Sequence, residues 1–189
     1  MTDLLQYVAA LDKSLFYFLN LNFASSTSDS FMIWITTKKN WYLPGGILWV
    51  LLMWKGGKKG RILGIMIILG ITLADQISSS ILKPAIARHR PCKVLEGFRL
   101  LVHCGSMNGF PSSHARNVAA IGTLFIGFYR RSAIFWGILI FFIGISRVYV
   151  GVHFPMDVFF GWLLGGLIGI TLIQLLKLAQ QKSPLLRYD

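Results

Sequence analysis

Carboxylates are scarce in this chain: 7 Asp and Glu stand against 19 Lys and Arg among 189 residues. So few acids supply no carboxylate-rich ligand cluster of the kind Mg²⁺ prefers. Nor does the sequence contain a nucleotide-binding glycine loop, an internal repeat or a low-complexity tract. Charge of either sign is thin, at 14% of residues, where a soluble domain carries about 25%. Hydrophobic residues make up 54% and aromatics 14%, with a mean hydropathy of +0.61. A soluble domain is excluded, and an integral membrane protein is expected. At about 20 residues per crossing, the length holds five or six transmembrane helices and short loops. The expected fold is an all-α, polytopic helix bundle forming one membrane-embedded domain over residues 1–189. The net charge of +12 lies in clusters between apolar segments, which points to membrane topology and anionic lipid rather than to nucleic acid.

Four apolar stretches read as spanning helices: Ile62 to Leu82, Ala115 to Tyr129, Ala133 to Val150 and Met156 to Leu176. The last carries Gly161, Gly165, Gly166 and Gly169, small residues that permit close helix contact. Phe31 to Trp54 is broken by Lys38, Lys39, Asn40 and Pro44, and reads as one kinked crossing or as a short crossing beginning near Trp41. Leu4 to Phe23 has Asp12 and Lys13 in its middle and an apolar stripe at Leu4, Val8, Leu11, Leu15 and Leu19. That pattern predicts an amphipathic helix on or in the membrane interface. A signal peptide is not expected there, since a basic start and a small-residue cleavage site are missing.

Basic residues orient the bundle. Lys55, Lys58, Lys59 and Arg61, then Arg130 and Arg131, then Lys177, Lys182 and Arg187 fall on one face, which the positive-inside rule assigns to the cytoplasm. The opposite face then holds Lys83 to His114 and Arg147 to Asp157. Its own cations, Lys83, Arg88, Arg90, Lys93 and Arg99, need another reason, and binding an anion supplies one. Cys92 and Cys104 share that outward loop, where an oxidising compartment permits a disulfide, the alternative being two unrelated thiols.

Three pieces on the outward face carry chemistry. Lys83 to Pro91 concentrates cations at a helix exit. Phe110-Pro111-Ser112-Ser113-His114 precedes a helix, so that Ser112 or Ser113 can cap it while free N–H groups face an anion. Ser146 to Asp157 combines Arg147, a binder of paired phosphoryl oxygens, with His153 and, four residues on, Asp157. Each piece has a plainer reading: interfacial anchors for the arginines and for His89 and His103, a helix cap for Pro-Ser-Ser-His, and a structural pair for His153 with Asp157. Their conjunction, in order and on one membrane face, points to phosphoryl transfer. Asp75 is expected to pair with a basic residue of this site.

Lys-x6-Arg-Pro, Pro-Ser-Ser-His and Ser-Arg-x5-His-x3-Asp together resemble the three-part signature of the type 2 phosphatidic acid phosphatase family, shared with vanadium haloperoxidases and glucose-6-phosphatase. The resemblance covers about Asp75 to Asp157. It departs from the family at Ser113, where glycine is usual. By position it implies that Lys83, Arg90 and Arg147 bind phosphoryl oxygens with Ser112 and the Ser113 backbone, that His153 attacks phosphorus with Asp157 orienting it, and that His114 protonates the leaving oxygen. It implies no cofactor and no metal. The partner is then a phosphorylated lipid in a bacterial inner membrane: undecaprenyl diphosphate, phosphatidylglycerol phosphate, phosphatidate or lipid A 1-phosphate. A phosphotransferase passing the phosphoryl group to another lipid, and a non-catalytic lipid-binding or transport protein, are the alternatives.

Overall fold

The structure, a computed structural model, describes residues 2–183 and 186–188. Its elements are α1 (Thr2–Leu21), α2 (Ser26–Thr36), α3 (Lys39–Lys55), α4 (Gly57–Gln76), α5 (Lys83–Ile86), α6 (Pro91–Val94), α7 (Ser113–Phe128), α8 (Ala133–Tyr149) and α9 (Pro155–Lys182). Among the described residues no strand forms. A π-helical turn over Ile77–Leu82 joins α4 to α5, so that 57–86 runs as one helical stretch of 30 residues. At 1.5 Å per residue that is about 45 Å, ample for a bilayer. Three stretches are long and apolar enough to cross a membrane unaided: Gly57–Ile86, Arg130–Tyr149 and Pro155–Lys182. Their outward faces carry the large apolar side chains, among them Phe135, Ile138 and Phe141 on α8 and Leu163, Leu167 and Ile170 on α9. In water that pattern would be a liability; in lipid it is the solvent-facing surface.

The central helix is α7, packed most extensively on α9 and also on α8 and α4. Glycines on α9 set that closeness. A Cβ at Gly161 would come within 2.8 Å of the Ser112 carbonyl oxygen, and one at Gly169 within 2.8 Å of Thr123 Cβ. Gly166, off the stripe, meets nothing nearer than 3.9 Å.

Between α2 and α3 the chain breaks at Thr37 and Lys38, so the segment from Phe31 to Trp54 is two helices, not one kinked helix. The break is bridged rather than loose: Trp41 Nε1 donates to the Ile35 carbonyl at 2.8 Å and Asn40 Nδ2 to that of Trp34 at 2.8 Å. The N-terminal helix α1 turns its apolar stripe away from the protein. Leu4, Leu11 and Leu15 are exposed, while Asp12, Phe16 and Asn20 are buried. The apolar stripe is left to lipid, and the polar stripe finds its hydrogen-bond partners inside the protein.

Lys59 Nζ lies 4.9 Å from the centre of the Tyr129 ring and 5.7 Å from that of Tyr188. This contact gathers the basic turns at Lys55–Arg61 and Arg130–Arg131 and the end of α9 at one end of the bundle. The three signature segments gather at the other.

Candidate active site

The first segment turns sharply after α5. Ala87 adopts a left-handed conformation (φ 46°), which a residue with a Cβ takes only under constraint. Beyond it the chain is extended and pairs antiparallel with the loop before α7, through a His89–Asn108 bridge and an Arg90 N–H bond to the Met107 carbonyl at 3.1 Å. Arg88 and Arg90, two residues apart in extended backbone, share a face, and both reach the third segment. Cys92 and Cys104 are joined in a disulfide with Cα atoms 6.1 Å apart, closing the loop that lies between the two paired segments.

The second segment places Ser112 at the N-cap position of α7. Its backbone N–H donates to the Asp157 carbonyl at 2.9 Å, which ties the start of α7 to the start of α9. The expected side-chain cap is not made: Ser112 Oγ is buried and has no hydrogen-bond partner among the described residues. A hydroxyl that forgoes its cap is available to a ligand oxygen, as are the first-turn N–H groups that have no acceptor within the helix. Ser113 Oγ accepts from Lys83 Nζ at 3.3 Å. The side chain that stands where glycine is usual therefore fastens a cation.

The third segment begins in the last turn of α8. Arg147 is buried, donates from Nη1 to Thr36 Oγ1 at 2.6 Å and leaves Nε without a partner among the described residues. Its carbonyl accepts the N–H groups of both Val152 and His153, at 3.1 and 3.2 Å. That tight turn brings His153 back over the site. Asp157, in the first turn of α9, accepts the Phe154 N–H at 3.0 Å through Oδ2 and Arg88 Nη1 at 2.9 Å through Oδ1.

His153 sits between an arginine and this carboxylate. Its Nε2 lies 2.8 Å from Arg90 Nη1, and its Nδ1 lies 3.4 Å from Asp157 Oδ2. A guanidinium nitrogen only donates, so Nε2 is the acceptor and carries the lone pair, with the proton on Nδ1 facing the carboxylate. Burial, and after it the charges of Arg90, Arg147 and Lys83, hold the imidazole pKa well below its ordinary value, against a hydrogen bond with the Gly109 backbone. At neutral pH the ring is uncharged and its Nε2 nucleophilic. Gly109 is needed for this fit: a Cβ there would lie 3.0 Å from Arg90 Cγ and 3.1 Å from Asp157 Oδ2.

His114, the second residue of α7, lines a cavity of about 800 Å³ between α2, α3, α4, α7 and α8. The cavity walls are apolar, including Trp41, Trp49, Ile121, Phe125 and Leu139, while Thr36, Lys38, Ser113 and Asn117 join His114 in supplying polar groups. Thr36 and Ser113, which share this cavity with His114, bond Arg147 and Lys83, so His114 stands beside the same cation cluster.

Sequence reasoning missed Thr36, Lys38 and the part played by Arg88, since no motif spans the first helices. It also assigned Asp75 a partner in the site. Instead Asp75 bonds Arg116, one turn beyond the second segment on α7. The reason is geometric: Lys83 lies two turns along from Asp75 and bonds Ser113, whereas Arg116 meets Asp75 where α7 packs on α4.

A family model described as PAP2 superfamily matches residues 64–181. A lipid A 4'-phosphatase of Bacteroides thetaiotaomicron is 31% identical over 171 residues, covering 86% of this chain and 76% of that protein. An undecaprenyl-diphosphatase of Sulfolobus acidocaldarius is 29% identical over 162 residues, with 85% and 76% covered. The crystal structure of LpxE from Aquifex aeolicus superimposes with a TM-score of 0.72 at 29% identity, covering 87% of this chain and 95% of that one.

Proposed function

The chain belongs to the PAP2 superfamily and is a membrane lipid phosphatase of that family, and from that premise we propose a two-step phosphoryl transfer through His153. Nε2 of His153 attacks phosphorus, the P–N bond forms as the P–O bond to the lipid breaks, and His114 gives its proton to the departing oxygen. Water then attacks the phosphohistidine, His114 takes up a proton, and phosphate leaves with the imidazole restored. Lys83, Arg90 and Arg147 neutralise the equatorial oxygens, helped by the Ser112 hydroxyl and the Ser113 N–H, and so supply the charge stabilisation that a metal ion provides elsewhere. The observation that carries this reading is the 2.8 Å contact of Arg90 with His153 Nε2. The resting protein holds its lone pair on a cation, at the place where a phosphoryl oxygen and phosphorus would take over the two partners.

The substrate is a lipid phosphomonoester or diphosphate: undecaprenyl diphosphate, a lipid A phosphate, phosphatidylglycerol phosphate or phosphatidate. The apolar cavity beside His114 favours lateral entry of the tail with the leaving oxygen next to its acid. Phosphate release from a panel of these lipids, with EDTA present, tests the class of reaction and ranks the substrates. Activity is expected to survive EDTA and to be inhibited competitively by orthovanadate, which adopts the five-coordinate geometry of the transferring group. Loss of activity in EDTA, restored by Mg²⁺, would overturn the metal-free mechanism.

We further place the site on the outer face of a bacterial inner membrane, with α3, the 57–86 stretch, α7, α8 and α9 as crossings. In a background carrying Cys92→Ser and Cys104→Ser, cysteines introduced singly at Lys58 and Lys182 should react with an impermeant maleimide only after the membrane is opened. In the native protein, Cys92 and Cys104 should label from outside only after reduction. Labelling of the Lys58 and Lys182 positions from outside intact cells would invert this orientation.

A further inference from the structure

Helix α1 buries one side chain in every fourth position, Asp12, Phe16 and Asn20. Each reaches a different part of the stretch that carries His153. Asn20 Nδ2 donates to the carbonyls of Tyr149 and Arg99 at 2.7 and 2.8 Å. The Phe16 ring lies 5.6 Å from that of Phe154. Asp12 accepts the Met156 N–H at 2.9 Å through Oδ1 and Arg88 Nη2 at 2.5 Å through Oδ2. One helical stripe thus grips residues 149 to 156 along their length. Arg88 completes the connection, because its other nitrogen donates to Asp157 and its guanidinium carbon stands 4.4 Å from the centre of the Phe154 ring. A single planar fork joins a buried carboxylate on α1 to the buried carboxylate beside the nucleophile.

That fork has a mechanical consequence. Asp157 is held at Oδ1 by Arg88 and at Oδ2 by the Phe154 N–H, which fixes the plane of the carboxylate and leaves Oδ2 facing His153 Nδ1. Arg88 is itself a partly exposed side chain, and its orientation depends on the second carboxylate. Without Asp12 the guanidinium is free to turn, the carboxylate plane with it, and the Nδ1–H tautomer that puts the lone pair on Nε2 loses its fixed acceptor. We propose that Asp12 is a positioning residue for phosphoryl transfer, acting through Arg88 on Asp157 and so on the tautomer of His153. The proposal rests on His153 and Asp157 being the reacting pair described above.

Asp12→Asn is the discriminating variant. Its amide oxygen still accepts the Met156 N–H, while an NH₂ group stands where Arg88 needs a carboxylate. With a lipid phosphate substrate, kcat is expected to fall about 10- to 100-fold, with KM and the inhibition constant for orthovanadate changed by less than about twofold. Introduced into Asp157→Asn, the same substitution is expected to cost less than about twofold, since a residue that acts through Asp157 has nothing left to act on. Arg88→Lys, which keeps the charge but not the two-pronged fork, should behave like Asp12→Asn in both backgrounds. If Asp12→Asn does not fold, Arg88→Lys measured with and without Asp157→Asn decides the question by the same criterion. Equal losses with and without Asp157→Asn, or a wild-type kcat, overturn the proposal. Wild-type activity in both Asp157→Asn and His153→Ala would instead remove the reading on which it rests.

Discussion

His153→Ala is expected to abolish turnover on every lipid phosphate, a loss on the order of 10⁴ to 10⁶ in kcat, because removing the nucleophile leaves only substrate binding and the oxyanion cage. The protein should remain folded. Arg90 keeps its bonds from Nε to the Ser106 carbonyl at 2.8 Å and from Nη1 to that of Val152 at 3.2 Å, so no buried cation is stranded by the truncation. Asp157→Asn should cost less, since an orienting carboxylate is partly replaceable by its amide. In the wild type, the downward shift of the His153 pKa sets the pH profile. In the proposed mechanism neutral imidazole is the active form and persists above its lowered pKa, so the acid limb of kcat/KM for this group should lie below the ordinary imidazole range near pH 6.5. Near-normal phosphate release by His153→Ala would end the covalent mechanism.

The largest loss of stability is expected at Asp75→Ala. Arg116 is fully buried, bonds Asp75 from Nη2 and Asn117 Oδ1 from Nε at 3.0 Å, and has Nη1 unpartnered among the described residues. Taking away Asp75 leaves a guanidinium inside the bundle with one neutral acceptor. Breaking such a pair costs 3–5 kcal/mol when both partners are buried; about 3 kcal/mol is expected here, because the Asp75 side chain is 52% exposed. Asp75→Ala combined with Arg116→Leu should recover most of that loss, since the cost lies in the stranded charge more than in the missing contact. Thermal unfolding in detergent decides it: a single variant as stable as wild type, or a double variant no better than the single, would show that the pair does not hold α4 to α7.

Asp75 and Asp12 show where sequence reading stops. Asp75 stands out in an apolar helix as a charge that needs a partner, and Asp12 lies in the middle of an amphipathic one, but which partner each finds depends on which helices adjoin. Asp75 takes Arg116 because α4 lies against α7, and Asp12 takes Arg88 because α1 lies across the loop leading into α9. Neither adjacency leaves a trace in local periodicity. The apolar stripe of α1 was visible as a period and as a lipid-facing surface, since lipid accepts leucine as readily as a protein core does; what the opposite stripe finds inside the protein was not visible.

By itself the sequence determined the medium, the helical class and the phosphatase family. Hydropathy is additive along the chain, and Lys83, Arg90, Ser112, Ser113, His114, Arg147, His153 and Asp157 lie in three short segments whose internal spacing carries their identity. Only the tertiary structure decided how those segments meet: that Arg90 holds the His153 lone pair, that Ser113 fastens Lys83, that Thr36 receives Arg147, and that Arg88 links Asp157 to the first helix. Such contacts are chosen by which helix ends converge, and convergence is set by the packing of α7 against the glycines of α9 and of α1 against residues 149 to 156, a property of surfaces distant in sequence rather than of any one segment.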